Sequence, residues 1–202
     1  MALVAWFPRV YDTFLEPLVR GFREAGVRLI DPQPGTRVLD VGCGTGTHLA
    51  LYAAAGCEVA GVDLNADMIA RARFRLGPAA DLREADATRL PFGDDAFDLA
   101  IGMLMLHEMA PPDRASALGE MSRVARRVLV IDHHPRPDGT IRGRVIRTFA
   151  TAIERIAGGD HYRNYRQFLG SGGVPAVVGA SGRDIIASVR EASGSMGVYL
   201  LG

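Results

Sequence analysis

The chain has 202 residues, 48% of them apolar, which is enough for one well-buried domain and short for two. Basic and acidic side chains balance at 23 each, so no overall field would attract nucleic acid or an anionic membrane surface, and no nucleic-acid partner is expected. Every basic side chain is an arginine, which excludes catalysis through a lysine Schiff base or a lysine general base.

The cysteines and the N-terminal residues indicate where in the cell the protein is expected. Cys43 and Cys57 are too few for a disulfide framework, and both lie in apolar stretches typical of small core residues. Residues 1–7 lack the charge and cleavage pattern of a signal peptide, and no apolar run approaches the roughly 20 residues of a membrane span. We therefore expect a cytoplasmic protein without stable membrane insertion.

The first two thirds of the chain alternate between helical and extended patterns. Apolar residues at three- and four-residue spacing predict an N-terminal helical segment within residues 1–30, interrupted at Pro8 and Pro17. Strands are expected at residues 36–41, 57–62, 81–85, 97–106 and 128–132, and helices at residues 47–55, 66–76 and 113–124, the last capped by Asp113. This alternation predicts an α/β fold with a parallel sheet built from right-handed crossovers.

The last third is less regular. Residues 135–183 predict helices at 142–156, 163–169 and 174–178, which we interpret as a helical cover inserted after the fifth strand. Two short strands, 185–189 and 198–201, follow with a Ser-Gly-Ser connection and predict an antiparallel hairpin. With no internal repeat, the chain is expected to form a single domain over residues 1–202.

The clearest ligand-binding feature is the run Val38-Leu39-Asp40-Val41-Gly42-Cys43-Gly44-Thr45-Gly46. Its apolar half predicts a buried strand, and its three alternate glycines, Gly42, Gly44 and Gly46, allow positive φ and leave no Cβ between the main chain and a ligand. The helix that follows begins at the same place. A ligand is therefore expected close to the backbone at the carboxyl end of this strand.

Acidic residues beside the glycines indicate the ligand. Asp40 would oppose a pyrophosphate but favour a cation or an ammonium group. Asp63, after the second strand, can accept hydrogen bonds from both hydroxyls of a ribose, and Asp86, after the third, can accept one from an exocyclic amine such as that of adenine. A cationic, adenine-bearing ligand without phosphates describes S-adenosylmethionine. The residues expected to contact its base are Leu64, Met68 and Ala87.

Four ordered segments resemble the motifs of class I S-adenosylmethionine-dependent methyltransferases, most closely the small-molecule group with quinone and lipid methyltransferases. They are the glycine run, Val62-Asp63-Leu64-Asn65, residues 84–92 (EADATRLPF) and residues 97–100 (FDLA). The resemblance spans residues 36–132 and the terminal hairpin. It implies a Rossmann-like three-layer sandwich with a seven-stranded, mostly parallel sheet in the order 3-2-1-4-5-7-6 and an antiparallel last strand. The family's usual Pro-Gly-Gly turn before the fifth strand is absent.

The resemblance also implies that Tyr11 lies over the cofactor, although a core tyrosine on an amphipathic helix is the alternative. Met103 is assigned to the cofactor pocket, with ordinary core packing as its alternative. Candidate general bases follow the fourth and fifth strands: they are His107, His133 and His134. Each of these histidines could instead only cap backbone carbonyls. On the cover, the aromatic and basic stretch 161–166 could hold a planar or anionic acceptor, or be a helix face with aromatic anchors.

The sequence therefore predicts an S-adenosylmethionine-dependent methyltransferase acting on a small, apolar or aromatic metabolite by in-line displacement. Two alternatives stay open, namely a methyltransferase-like protein that binds the cofactor without chemistry and an NAD-dependent oxidoreductase. No metal site is expected, and the oligomeric state is open, with a homodimer possible. A nucleic-acid acceptor is further disfavoured because His107-Glu108-Met109 stands where an Asn-Pro-Pro-Tyr-like element would be.

Overall fold

The structure, a computed structural model, describes residues 16–202. Within them seven strands form one sheet, in the order β3-β2-β1-β4-β5-β7-β6. Strands β1 to β4 pair in parallel with their neighbours, as does β4 with β5, whereas β7 is antiparallel to both β5 and β6. The predicted strand order and the reversed last strand are confirmed. The strands are β1 (Arg37–Val41), β2 (Glu58–Asp63), β3 (Asp81–Glu84), β4 (Phe97–Met103), β5 (Ala125–His133), β6 (Ile185–Glu191) and β7 (Met196–Leu201).

Helices cover both faces of this sheet. They are α1 (Glu16–Ile30), α2 (Thr47–Ala54), α3 (Ala66–Leu76), α4 (Pro111–Val124), α5 (Ile141–Ala157), α6 (Gly159–Ser171) and α7 (Gly173–Gly179). The last three lie between β5 and β6, in the segment predicted as a cover. None of the helices within residues 16–202 is long and apolar enough to cross a lipid bilayer. The predicted position of Tyr11 lies outside the described residues.

The alternation of side chains along the strands builds two cores. In β5, Val128 and Val130 pack on one face with α4, α6 and α7, whereas Leu129 and Ile131 pack on the other with α1, α2 and α3. All four side chains are fully buried. Because both faces are covered, the central strands are apolar on successive residues, as expected for a buried parallel sheet.

Several predicted boundaries shift for local reasons. The side chain of Asn65 caps α3 as predicted, accepting hydrogen bonds from the N–H groups of Asp67 and Met68. Helix α4, however, begins at Pro111, because proline suits the first helical position, and Asp113 lies within the first turn rather than at the cap. Strand β4 ends at Met103 instead of residue 106, because Leu104 adopts a left-handed conformation with φ 55° that leaves the sheet.

Candidate functional site

The glycine loop leaves β1 and is fixed against β2. The N–H groups of Gly42 and Cys43 both donate to the carbonyl of Val62, at 2.8 and 2.9 Å. All three glycines have positive φ, which a side chain would disfavour. A Cβ at Gly44 would have no neighbour within 4 Å, whereas one at Gly46 would lie 3.1 Å from the Cβ of Ala72. Gly44 therefore leaves the backbone open to a ligand, and Gly46 lets α2 approach α3.

A cavity of about 510 Å³ opens beside this loop, at the carboxyl ends of the strands. Its size suits a small-molecule ligand. Gly46 does not line it, because that residue faces α3. The predicted cofactor residues that do line the cavity are Asp40, Gly42, Gly44, Asp63, Leu64, Met68, Asp86, Ala87 and Met103.

Asp40 is a buried acid at one end of the cavity. It lies in the central strand β1, beside Gly61 of β2 and Ile101 of β4, and only 2% of its surface is exposed. Its Oδ1 has no hydrogen-bond partner among the described residues. Burial raises the pKa of this carboxyl to about 7, and the nearby charge of Arg23, which also lines the cavity, acts in the opposite direction. The carboxylate is therefore destabilised until a donor reaches it.

Asp63 and Asp86 are held in fixed orientations at the ends of β2 and β3. The Oδ2 of Asp63 accepts a hydrogen bond from the N–H of Gly44 and its Oδ1 accepts one from the N–H of Asn65, both at 2.9 Å. The Oδ1 of Asp86 accepts from the N–H and the hydroxyl of Thr88, each at 2.8 Å, and these bonds lower the pKa of Asp86. Both acids retain lone pairs for a ligand.

Apolar side chains form the rest of the cavity wall. Leu64 is 69% exposed beside the cavity, an unusual position for a large apolar side chain. Another part of the wall comes from the segment after β4, which contributes Met103, Met105, Glu108 and Met109, and Met105 lies beside Gly42 of the glycine loop. This part of the wall is therefore adaptable and apolar with a single acid.

Behind Glu108 lies a group of side chains that we call the histidine cluster, comprising His107, Glu108, Asp132, His133, Glu154 and His161. The Nδ1 of His107 lies 2.7 Å from Oδ1 of Asp132, which also accepts the N–H of His133 at 2.7 Å. The rings of His107 and His133 are 4.8 Å apart. Burial disfavours the charged form of His107, but Asp132 and the two glutamates raise its pKa to about 9.

Helices α5 and α6 complete the cluster. From α5, Oε1 of Glu154 lies 3.7 Å from Nε2 of His107 and 3.6 Å from Nε2 of His133. Oε2 of Glu154 pairs with Nε2 of His161, from α6. Glu108 lies 3.9 Å from both His107 and His161. Glu108 is the cluster member that lines the cavity.

His134 is not part of this cluster. Its ring stacks on Tyr199 with centroids 6.4 Å apart, and its Nδ1 accepts the N–H of Arg136 at 3.0 Å. Successive residues at the end of a strand leave it on opposite sides, so His133 and His134 cannot both face His107. Of the three predicted bases, the structure brings together His107 and His133.

The cover is fastened to the site by Arg114, which is 2% exposed. Its guanidinium donates to the carbonyls of Leu106 and Asn164 at 2.8 and 2.7 Å and stacks 5.0 Å from the centre of the Phe168 ring. On α6, the helix that carries Asn164 and Phe168, Tyr165 is buried, and its ring lies 5.0 Å from that of His133. Part of the aromatic stretch on the cover is therefore core rather than exposed surface.

Sequence reasoning missed Glu154, which belongs to the histidine cluster, and two residues that line the cavity. Glu154 is the only acid in the 17 residues of α5, a helix with four arginines, and that isolation was an available signal. Arg23 and His48 line the cavity from α1 and α2. His48 is buried, neither ring nitrogen has a hydrogen-bond partner among the described residues, and burial lowers its pKa to about 3. Nothing in their spacing marked either residue.

The seven-stranded order with a reversed β7, joined to a glycine loop and three strand-end acids, defines the Rossmann-like methyltransferase class. Residues 38–127 match the family model described as a methyltransferase domain. This match covers a little under half of the chain, and over these residues it confirms the resemblance.

Known proteins agree with this assignment. The chain is 37% identical over 115 residues to a phosphatidylethanolamine N-methyltransferase from Cereibacter sphaeroides, covering 53% of this chain and 55% of that one. It is 33% identical over 157 residues to a demethylmenaquinone methyltransferase from Beutenbergia cavernae, covering 73% and 64%. The chain spans about half the length of the curated relatives it matches.

The fold is similar to that of magnesium protoporphyrin IX methyltransferase from Synechocystis, which was solved with bound S-adenosylhomocysteine. The TM-score is 0.66 at 17% identity, with 99% of this chain and 93% of that chain covered. At this identity the likeness shows the fold.

Proposed function

We propose that the chain is an S-adenosylmethionine-dependent methyltransferase that methylates a small apolar or aromatic acceptor. The main observation behind the proposal is the buried carboxylate of Asp40, whose Oδ1 has no hydrogen-bond partner within residues 16–202. It lines the same cavity as the glycine loop, where the backbone is exposed to a ligand. A carboxylate there favours a cationic group and opposes a phosphate.

The polar groups of the cavity suit the parts of this cofactor one by one. Asp40 would accept hydrogen bonds from the ammonium of its amino-acid group, and the guanidinium of Arg23, on the same cavity, would attract the carboxylate. Asp63 would hold the ribose hydroxyls, and Asp86 the adenine amine, with the exposed side chain of Leu64 against the ring. When bound, the sulfonium supplies an electrophilic methyl group.

The acceptor would bind at the methionine-lined end of the cavity. Met103, Met105 and Met109 offer an adaptable apolar surface that excludes water and aligns an apolar acceptor, which is the main requirement for an in-line displacement. Where the acceptor must lose a proton, we propose that His107 and His133 act through Glu108, the cluster member at the cavity. Since His134 stacks on Tyr199, it has no place in this step.

Binding experiments separate this proposal from its rivals. Calorimetric titration should show binding of S-adenosylhomocysteine and not of NADH; binding of NADH alone would overturn the assignment. Incubation with methyl-labelled S-adenosylmethionine then tests for transfer. The first acceptors to try are quinols and phospholipids, because the relatives from Beutenbergia and Cereibacter are named for demethylmenaquinone and phosphatidylethanolamine. Cofactor binding without transfer to these or to any metabolite fraction would favour a binding protein. Cytoplasmic location stays a prediction, and the oligomeric state stays open.

A further inference from the structure

The histidine cluster contains more ionisable groups than a proton transfer requires. Three carboxylates and three imidazoles, contributed by two strand ends and two cover helices, converge behind the acceptor end of the cavity. His107, Asp132 and His133 are buried, and Glu154 is 9% exposed. We propose that this cluster binds one divalent transition-metal ion, held by His107, His161, Glu108 and Glu154.

The separations between the side chains support a shared ion. Nε2 of His107 lies 3.7 Å from Glu154 and 3.9 Å from Glu108, distances too long for hydrogen bonds. Metal–ligand bonds of 2.0–2.2 Å in a tetrahedral site place neighbouring ligand atoms roughly 3.4 Å apart. Potential ligand atoms of His107, Glu108 and His161 lie within 4.8 Å of one another. Bringing these atoms to a common ion shortens the separations from Nε2 of His107 by about 0.3–0.5 Å and the longest of the others by up to about 1.4 Å.

The remaining cluster members orient the proposed ligands. Histidines that bind metals almost always donate their other ring N–H to a carboxylate or a carbonyl, which fixes the tautomer. Nδ1 of His107 makes this contact with Asp132, at 2.7 Å, and Asp132 is itself fixed by the backbone N–H groups of His107 and His133. Nε2 of His107 therefore faces the two glutamates, and it offers its lone pair to an ion that displaces its proton.

Charge balance favours a cation in the cluster. Three carboxylates, those of Glu108, Asp132 and Glu154, lie together, two of them on buried residues, and a protonated His107 balances only one of their charges. A group of buried carboxylates is costly unless it is paired with cations or coordinates a metal. Arg114, the nearby cation, directs its guanidinium at carbonyls and at Gln167 rather than at these carboxylates.

The donor set indicates which metals fit. Two imidazoles and two carboxylates suit Zn²⁺, Fe²⁺, Mn²⁺ or Co²⁺, whereas Mg²⁺ and Ca²⁺ prefer oxygen ligands throughout. Since Glu108 also lines the cavity, an oxygen of the acceptor would reach the ion from that side as a fifth ligand. This last step rests on the proposed methyl transfer; metal binding itself does not.

The test uses the untagged full-length protein, stripped with a chelator and titrated with Co²⁺ while the ligand-field absorption is recorded. One equivalent is expected to bind. H161Q and E154Q should weaken Co²⁺ binding by more than the roughly 10- to 100-fold expected for D132N, which removes only the support of His107. H134Q is the matched control, because that histidine lies outside the cluster, and its affinity should equal that of the unmodified protein.

The outcomes distinguish this inference from the proposed function. Absence of saturable Co²⁺ binding, or equal affinity in H161Q, E154Q and H134Q, would overturn the metal site. Because His161 is half-buried, H161Q should fold even where H107Q does not, and an unchanged melting temperature verifies this. S-adenosylhomocysteine titrations on the same samples report on the cofactor site alone. Their failure with intact Co²⁺ binding would count against the methyltransferase proposal and leave the metal site standing.

Discussion

Replacing Asp40 with asparagine should stabilise the ligand-free protein above pH 7 and weaken its binding of S-adenosylhomocysteine. Burial raises the pKa of Asp40 from 3.8 to about 7. Between these values the folded protein retains the proton while the unfolded chain has lost it, so stability falls as pH rises through this window and is constant above it. At 1.36 kcal/mol per pKa unit, ionised Asp40 costs the folded state up to roughly 4 kcal/mol, which D40N avoids.

The same substitution removes the partner of the ligand's ammonium. A hydrogen bond to a charged group contributes about 1.5–3 kcal/mol, so D40N should bind S-adenosylhomocysteine about 10- to 150-fold more weakly at pH 8. Below pH 7 the unmodified protein must lose the Asp40 proton to bind the cation, and its affinity should fall by up to about tenfold per pH unit. D40N should lack this pH dependence.

The assay is urea unfolding from pH 4 to 9, with calorimetric titration of S-adenosylhomocysteine on the same two proteins. D98N is the matched control, because Asp98 is the second residue of β4, at the amino ends of the strands and away from the cavity, and pairs with Arg37 at 2.9 Å. That ion pair lowers the pKa of Asp98 to about 2, so D98N should lose stability at neutral pH and keep its affinity. If D40N gained no stability between pH 4 and 8, or bound the ligand as tightly as the unmodified protein, our account of Asp40 would be refuted.

Three further experiments test the structure around the site. In urea unfolding, both G46A and G44A should lose about 1–2 kcal/mol of stability because of positive φ, and G46A should lose more because only position 46 lies against α3. G44A should instead weaken the binding of S-adenosylhomocysteine. Equal losses of stability in the two variants would contradict this prediction. R114M should lower the free energy of unfolding by about 2–4 kcal/mol, and amide hydrogen exchange should become faster first in α6. A uniform increase in exchange rate over the whole protein would argue that Arg114 does not hold the cover in place. Iodoacetamide should label Cys57 in the native protein and Cys43 only after unfolding, since burial strongly raises the pKa of the Cys43 thiol; early labelling of Cys43 would count against its burial.

The proposed cofactor half of the site was predictable because each of its acids lies near or just after the carboxyl end of its own strand. Asp40, Asp63 and Asp86 belong to or follow β1, β2 and β3, and parallel strands bring their carboxyl ends to one edge without any further knowledge of packing. The sequence pattern alone could not show that Asp40 is buried and lacks a partner for Oδ1 within the described residues. That property depends on its place between β2 and β4.

The histidine cluster was only half predictable, for a physical reason. His107 and His133 follow neighbouring strands, so their proximity could be inferred. Glu154 and His161 come from helices whose position over the sheet is set by contacts such as those of Arg114, and no local pattern reports such contacts. The predicted end of β4 was also wrong, because no feature of an apolar run indicates the left-handed conformation of Leu104. The chain turns there, and Glu108 comes to line the cavity.

The two halves of the site also differ in what the family match covers. Residues 38–127 contain all three acids that we propose to bind the cofactor, together with His107 and Glu108, but the match stops before Asp132, Glu154 and His161. The proposed cofactor acids thus lie within the matched residues, whereas Arg23 precedes them and the cluster is completed by β5 and by the cover helices. A methyltransferase domain can therefore retain its cofactor acids while residues beyond the match change the ionisable groups behind the proposed acceptor site. For this chain, binding of S-adenosylhomocysteine therefore tests the proposed cofactor site, whereas binding of Co²⁺ tests the cluster that lies behind the proposed acceptor site.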